Sequence, residues 1–182
     1  SDYPPFKAFK YFWKITERKD KSLLSLIYAV YHDELLKESI EIVKQCNIGD
    51  KLEIKDLVDN IEKRHPERYS DKTKLSLAQN IASSWKQAGI IQGKTKNIRI
   101  QNEISVKVAC FSFILAYIEG LKGDFIWKST GCKVLLLGEE KLRELAIAAS
   151  RQGLLLYQSA GEVTVMTFDV LLKEMGIDGF KN

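Results

Sequence analysis

Eight polar side chains recur at three- and four-residue steps between positions 72 and 87: Lys72, Thr73, Ser76, Gln79, Asn80, Ser83, Lys86 and Gln87. On an α-helix that spacing lines them along one face. The set offers amides, hydroxyls and ammonium groups, and no carboxylate. Asn and Gln amides pair in a bidentate way with adenine, while Ser, Thr and Lys donate to phosphates or base edges. The chemistry on offer is therefore hydrogen bonding in the major groove of duplex DNA. An amphipathic helix that merely faces water usually mixes Glu with Lys for i,i+4 pairing. That mixture is missing here.

The charge distribution follows the same stretch. Between Asp71 and Glu103 the chain carries Lys72, Lys74, Lys86, Lys94, Lys96 and Arg99 and no acidic residue. Those 31 residues hold a charge of +6, and the other 151 hold 22 basic and 24 acidic groups, so the net +4 of the protein comes from one segment. Such asymmetry marks a polyanion-binding face, although a solvated lysine-rich surface carries the same pattern. Lys74 joins the cations of the helix, and Lys94, Lys96 and Arg99 fall at or near the tip of the hairpin that follows.

Residue types that would support catalysis are not arranged for it. There is no Gly-rich phosphate loop ending in Gly-Lys-Ser/Thr, no Gly-x-Ser-x-Gly and no His-Glu-x-x-His. His32 precedes Asp33 and Glu34, but successive residues of a helix point in different directions. His65 precedes Pro66 at a helix end, where a cationic side chain is favoured. Cys46, Cys110 and Cys132 are odd in number and lack metal-ligand spacing, which reads as free thiols in a reducing cytoplasm. No catalytic residue, metal or cofactor is expected. The longest apolar stretch, 108–118, is too short to span a bilayer, so no membrane partner is expected either.

The elements that must position the polar face can be read from periodicity and punctuation. Residues 22–46 place apolar side chains at helical spacing, with a break near His32 and Asp33. Residues 54–64 form the next helix, closed by Pro66. Ser70 or Asp71 caps a helix over 73–88, Gly89 ends it, and Leu77, Ala78, Ile81, Ala82, Trp85 and Ala88 form its buried stripe. A strand at 90–91, a turn at 93–97 and a strand at 98–100 complete the set. Helix, helix, helix and a short basic hairpin is the order of a winged helix, with the third helix in the groove and the wing, 92–99, on the backbone.

Three regions are expected: an aromatic and basic N-terminal arm (1–21), a winged-helix domain (22–103) and a helical lobe with a C-terminal β-hairpin (104–182). The aromatics of the arm either pack on a neighbouring surface or stack on nucleic acid. In the last region helices are expected at 105–121, 139–152 and 169–175 and strands at 154–157 and 163–168. It is a candidate second winged-helix-like unit, but its apolar hairpin and acidic helix start suit packing or docking better than DNA reading. The fold class is mainly α (α+β), a winged helix-turn-helix lobe followed by a second helical lobe.

The run from Tyr69 to Thr73, Leu77-Ala-Gln-Asn-Ile81 and Trp85-Lys-Gln-Ala-Gly-Ile-Ile91 resembles the third helix and first wing strand of winged-helix proteins. The stretch from Leu23 through Tyr31-His-Asp-Glu-Leu-Leu36 to Ile91 is similar to the BrxA family of accessory proteins from BREX phage-defence systems, a resemblance covering roughly the first half of the chain. It implies a bacterial, cytoplasmic, non-enzymatic DNA-binding factor in antiviral defence, partnered by double-stranded DNA and by other proteins of a defence complex. A competing expectation is a protein–protein adaptor that uses a winged-helix fold for docking. RNA is a weaker third, since no signature of a single-strand-reading module is present.

Overall fold

The computed structural model describes residues 2–179. The chain is mainly helical with two small antiparallel hairpins, and it divides into two compact units. One unit is residues 29–103; the other combines residues 1–28 with 104–182.

In the 29–103 unit, Asp33 caps helix α3 (Glu34–Gln45) by accepting a hydrogen bond from the Leu36 amide at 2.9 Å. The break expected at His32 and Asp33 falls there, after helix α2 (Lys21–Ala29). Helix α4 (Ile54–Arg64) stops at His65 before Pro66. Helix α5 (Asp71–Gln87) starts at the Ser70 cap, whose hydroxyl accepts from the Thr73 amide at 3.2 Å, and ends before Gly89, where φ is +77°. Such a left-handed backbone is open to glycine at little cost.

Leu36, Ile40 and Val43 from α3, Leu57 and Ile61 from α4, and Ala78, Ile81, Ala82 and Trp85 from α5 form the core of this unit. Trp85 is completely buried, and its indole N–H donates to Ser39 Oγ at 2.8 Å. The hydroxyl of Ser39 in turn donates to the Leu36 carbonyl, so a polar chain crosses the core with its donors satisfied. Strand β1 (Ile91–Gln92) pairs with β2 (Ile98–Arg99), Ile91 opposite Arg99. The connection between α3 and α4 runs along the other edge of β2: Lys51 bridges Ile98, the Leu52 amide donates to the Asn97 carbonyl, and the Arg99 amide donates to the Asp50 carbonyl, both at 2.8 Å.

In the other unit, residues expected to form an arm instead build helix α1 (Pro4–Ile15). Pro4 and Pro5 sit in its first turn, where a missing N–H costs nothing. Its aromatic residues are packing residues. Phe9 and Phe12 lie 6.1 and 5.5 Å, ring centre to ring centre, from Phe111 of helix α6 (Val106–Ile118). Lys107 donates to the Ile15 carbonyl at 2.8 Å and fixes the end of α1. Residues 108–117 of α6 are buried on every side, which is why its sequence shows no polar face. Helices α7 (Thr130–Val134) and α8 (Glu139–Arg151) precede the hairpin β3 (Leu156–Ala160) and β4 (Val163–Thr167), and α9 (Asp169–Glu174) follows. Ala160 pairs with Val163, so the turn is the two residues Gly161 and Glu162, tighter than the 158–162 interval between the expected strands. No helix among the described residues is long and apolar enough to cross a membrane.

Candidate nucleic-acid interface

Burial of Ala78, Ile81, Ala82 and Trp85 fixes which side of α5 faces outward. Lys72, Thr73, Ser76, Gln79, Asn80, Ser83 and Gln87 are all exposed. Lys86 is half-buried, and its ammonium donates to the Lys94 carbonyl at 3.4 Å, tying the end of α5 to the hairpin. The five residues between Gln92 and Ile98 form the hairpin tip, with Gly93 at φ +100° and Lys94 and Lys96 exposed. The Thr73 hydroxyl lies 2.8 Å from the Ser70 hydroxyl. It is thus already engaged in the cap, while the amides of Gln79, Asn80 and Gln87 face solvent.

Two residues grouped with this face by sequence do not belong to it. Lys74 points back toward α4, and its ammonium meets Glu62 of α4 at 2.7 Å and Asp71 of its own helix at 2.9 Å with only 12% of the side chain exposed. These bonds hold the Glu62 carboxyl below its ordinary range and raise the Lys74 ammonium. Position 74 is in phase with Ala78, Ile81 and Trp85, the core stripe. That phase was the available signal.

Arg99 is the second. It lies opposite the buried Ile91 and is itself only 7% exposed, so the side chain turns inward. One guanidinium nitrogen donates to the Ile100 carbonyl, Nε has no partner, and burial lowers its pKa. The cations of the segment that are neither buried nor in an ion pair among the described residues are therefore Lys72, Lys86, Lys94 and Lys96.

The structure also exposes residues that the periodicity did not single out. Leu75 is 46% exposed, one residue from Ser76 and one turn from Gln79. An apolar side chain there suits the methyl group of thymine. Arg68 is exposed two residues before the Ser70 cap, with its guanidinium 5.3 Å from the centre of the Tyr69 ring. Its place beside a helix N-terminus was legible, but its exposure was not.

No protein-family model, curated protein or solved structure matches the chain. The face is accordingly judged on its own chemistry: an acid-free row of amides and hydroxyls, flanked by lysines on the helix and on the adjoining hairpin.

Proposed function

We propose that the 29–103 unit is a winged helix-turn-helix module that binds double-stranded DNA without catalysis, with α5 in the major groove and residues 92–99 on the backbone. The observation that carries this reading is the outward face of α5, which is exposed except at the half-buried Lys86 and free of carboxylates from Lys72 to Gln87. The topology supports it. Three helices precede a basic hairpin, and the α3–α4 connection pairs with the second hairpin strand, so β2 is paired along both edges.

Base contacts fall to Gln79, Asn80, Ser83 and Gln87, and phosphate contacts to Lys72, Ser76, Lys86, Lys94 and Lys96. A single such module makes few base contacts, so tight sequence-specific binding requires a dimer or a partner. On the resemblance of the first half to BREX accessory proteins, the proposal extends to a role for this activity in a bacterial, cytoplasmic phage-defence complex.

The test is a fluorescence-anisotropy titration of a mixed-sequence duplex at low and physiological salt, beside the Lys86→Glu/Lys94→Glu variant. Salt-sensitive binding lost in the variant is expected. Absence of binding at low salt, or equal binding by the variant, overturns the reading.

A docking role is the second reading, and one observation favours it. Leu156, Val163 and Val165 are 50%, 63% and 41% exposed on the β3–β4 hairpin, an apolar surface suited to protein contact. If the duplex is not bound, this hairpin becomes the leading functional surface.

A further inference from the structure

Helix α3 begins with two glutamates four residues apart, Glu34 and Glu38, which share a face of the helix. His65, the residue that ends α4, brings its imidazole to that face. Its Nε2 lies 2.9 Å from Glu38 Oε2, and the two side chains are only 10% and 14% exposed. One ligand atom from each of Glu34, Glu38 and His65 lies within 4.8 Å of the other two.

Two carboxylates thus converge on one imidazole. Among the described residues no lysine or arginine forms an ion pair with either glutamate. Elsewhere in the unit a buried lysine does that work, as Lys74 does for Glu62. Here the excess negative charge is left for a cation from solution.

From this arrangement we propose that Glu34, Glu38 and His65 form a binding site for a divalent transition-metal ion of the zinc type. Carboxylate oxygen and imidazole nitrogen are both donors that such ions accept, and three protein ligands leave a position for water. Ligand atoms around a tetrahedral zinc stand about 3.3 Å apart, given bonds of about 2.0 Å. The present separations must therefore close somewhat. The Glu38–His65 pair is fixed by burial, whereas Glu34 is exposed in the first turn of α3 and can swing inward by a rotamer change.

The bound ion would tie the start of α3 to the end of α4, next to the turn that leads into α5. Because the three ligands come together only in the folded chain, the ion stabilises the fold in proportion to its concentration over its dissociation constant. The site is independent of the nucleic-acid reading.

The experiment is a calorimetric titration of the chelator-treated full chain with Zn²⁺, with thermal unfolding in the same samples. Glu34→Gln, His65→Gln and Cys46→Ser variants are run alongside. Wild type is expected to bind at a single site with a raised unfolding temperature. Loss of an outer-sphere partner alone weakens metal sites about 10- to 100-fold, so removing a direct ligand by Glu34→Gln is expected to weaken binding by more than about tenfold. Glu34 is exposed, so that variant keeps its fold and separates ligation from stability; His65→Gln should abolish binding.

Cys46→Ser should leave the affinity unchanged. No saturable Zn²⁺ binding in wild type overturns the proposal. So does binding that survives Glu34→Gln, or binding that is lost in Cys46→Ser instead.

Discussion

The dependence of duplex affinity on salt tests how many cations the basic segment presents. By sequence the segment has six; in the structure Lys74 is held by Glu62 and Asp71, and Arg99 is buried, which leaves Lys72, Lys86, Lys94 and Lys96. Each phosphate neutralised contributes about −0.9 to the slope of log affinity against log salt, so four contacts give about −3.6. Between 50 and 200 mM salt that slope costs about 150-fold in affinity.

The Lys94→Ala/Lys96→Ala variant retains two of the four cations, so its slope should fall to about −1.8 and its loss over the same range to about 12-fold. Lys74→Met should leave the slope unchanged, because its ammonium is already committed to two carboxylates. The assay is fluorescence anisotropy of a labelled mixed-sequence duplex at several salt concentrations. A slope unmoved by the double substitution would refute the hairpin contacts. A change in Lys74→Met as large as that caused by removing Lys94 would refute the assignment of Lys74 to the core side.

Three further outcomes follow from the packing. Trp85→Phe removes the buried indole bond to Ser39 and should destabilise the chain by about 1–3 kcal/mol, read from the urea midpoint. Ser70→Ala removes the cap of α5 and should cost about 1 kcal/mol in the same assay.

Stability should also fall in alkali. Burial raises the Cys110 thiol and pushes Cys132 to about 12 from an ordinary value of 9.0, and burial with the Glu174 contact pushes Tyr11 to about 12 from 10.0. The folded state holds these protons more tightly, so their stabilisation is complete below about pH 9 and is lost as the pH rises toward 12. Tyr11→Phe should flatten the part of the decline above pH 10, measured by denaturant midpoints across that range.

Much of the fold was legible because its signals are local. Helix α4 has the expected bounds, Ser70 and Gly89 punctuate α5 as read, and the break before α3 falls at the Asp33 cap. The misreading of the N-terminal stretch comes from partners distant in sequence. The aromatic N-terminal stretch has no obvious local use, because Phe12 meets Phe111 and Lys7 donates to the Gly176 carbonyl.

Arg99 looked like a hairpin charge until the pairing with Ile91 turned it inward, and strands of two residues are too short to show alternation. Lys74 differs, since its phase with Ala78 and Trp85 was present in the sequence, but charge outweighed periodicity. The convergence of Glu34, Glu38 and His65 depends on how α3 packs against the end of α4, and no spacing along the chain reveals it.

The interleaving of the two units along the chain sets the order in which they are completed during synthesis. Residues 29–103 hold their own core and can close as soon as they emerge. Helix α1 must wait for α6, because Phe12 and Phe111 are separated by about a hundred residues, or about 5–20 s of translation at about 5–20 residues per second. Throughout that interval Phe12 lacks the Phe111 ring it packs on, and Phe9 has Tyr28 and Trp13 but not Phe111. Helix α1 is thus made well before the surface it packs on, and a chain arrested before α6 would present an aromatic, aggregation-prone helix to the cell.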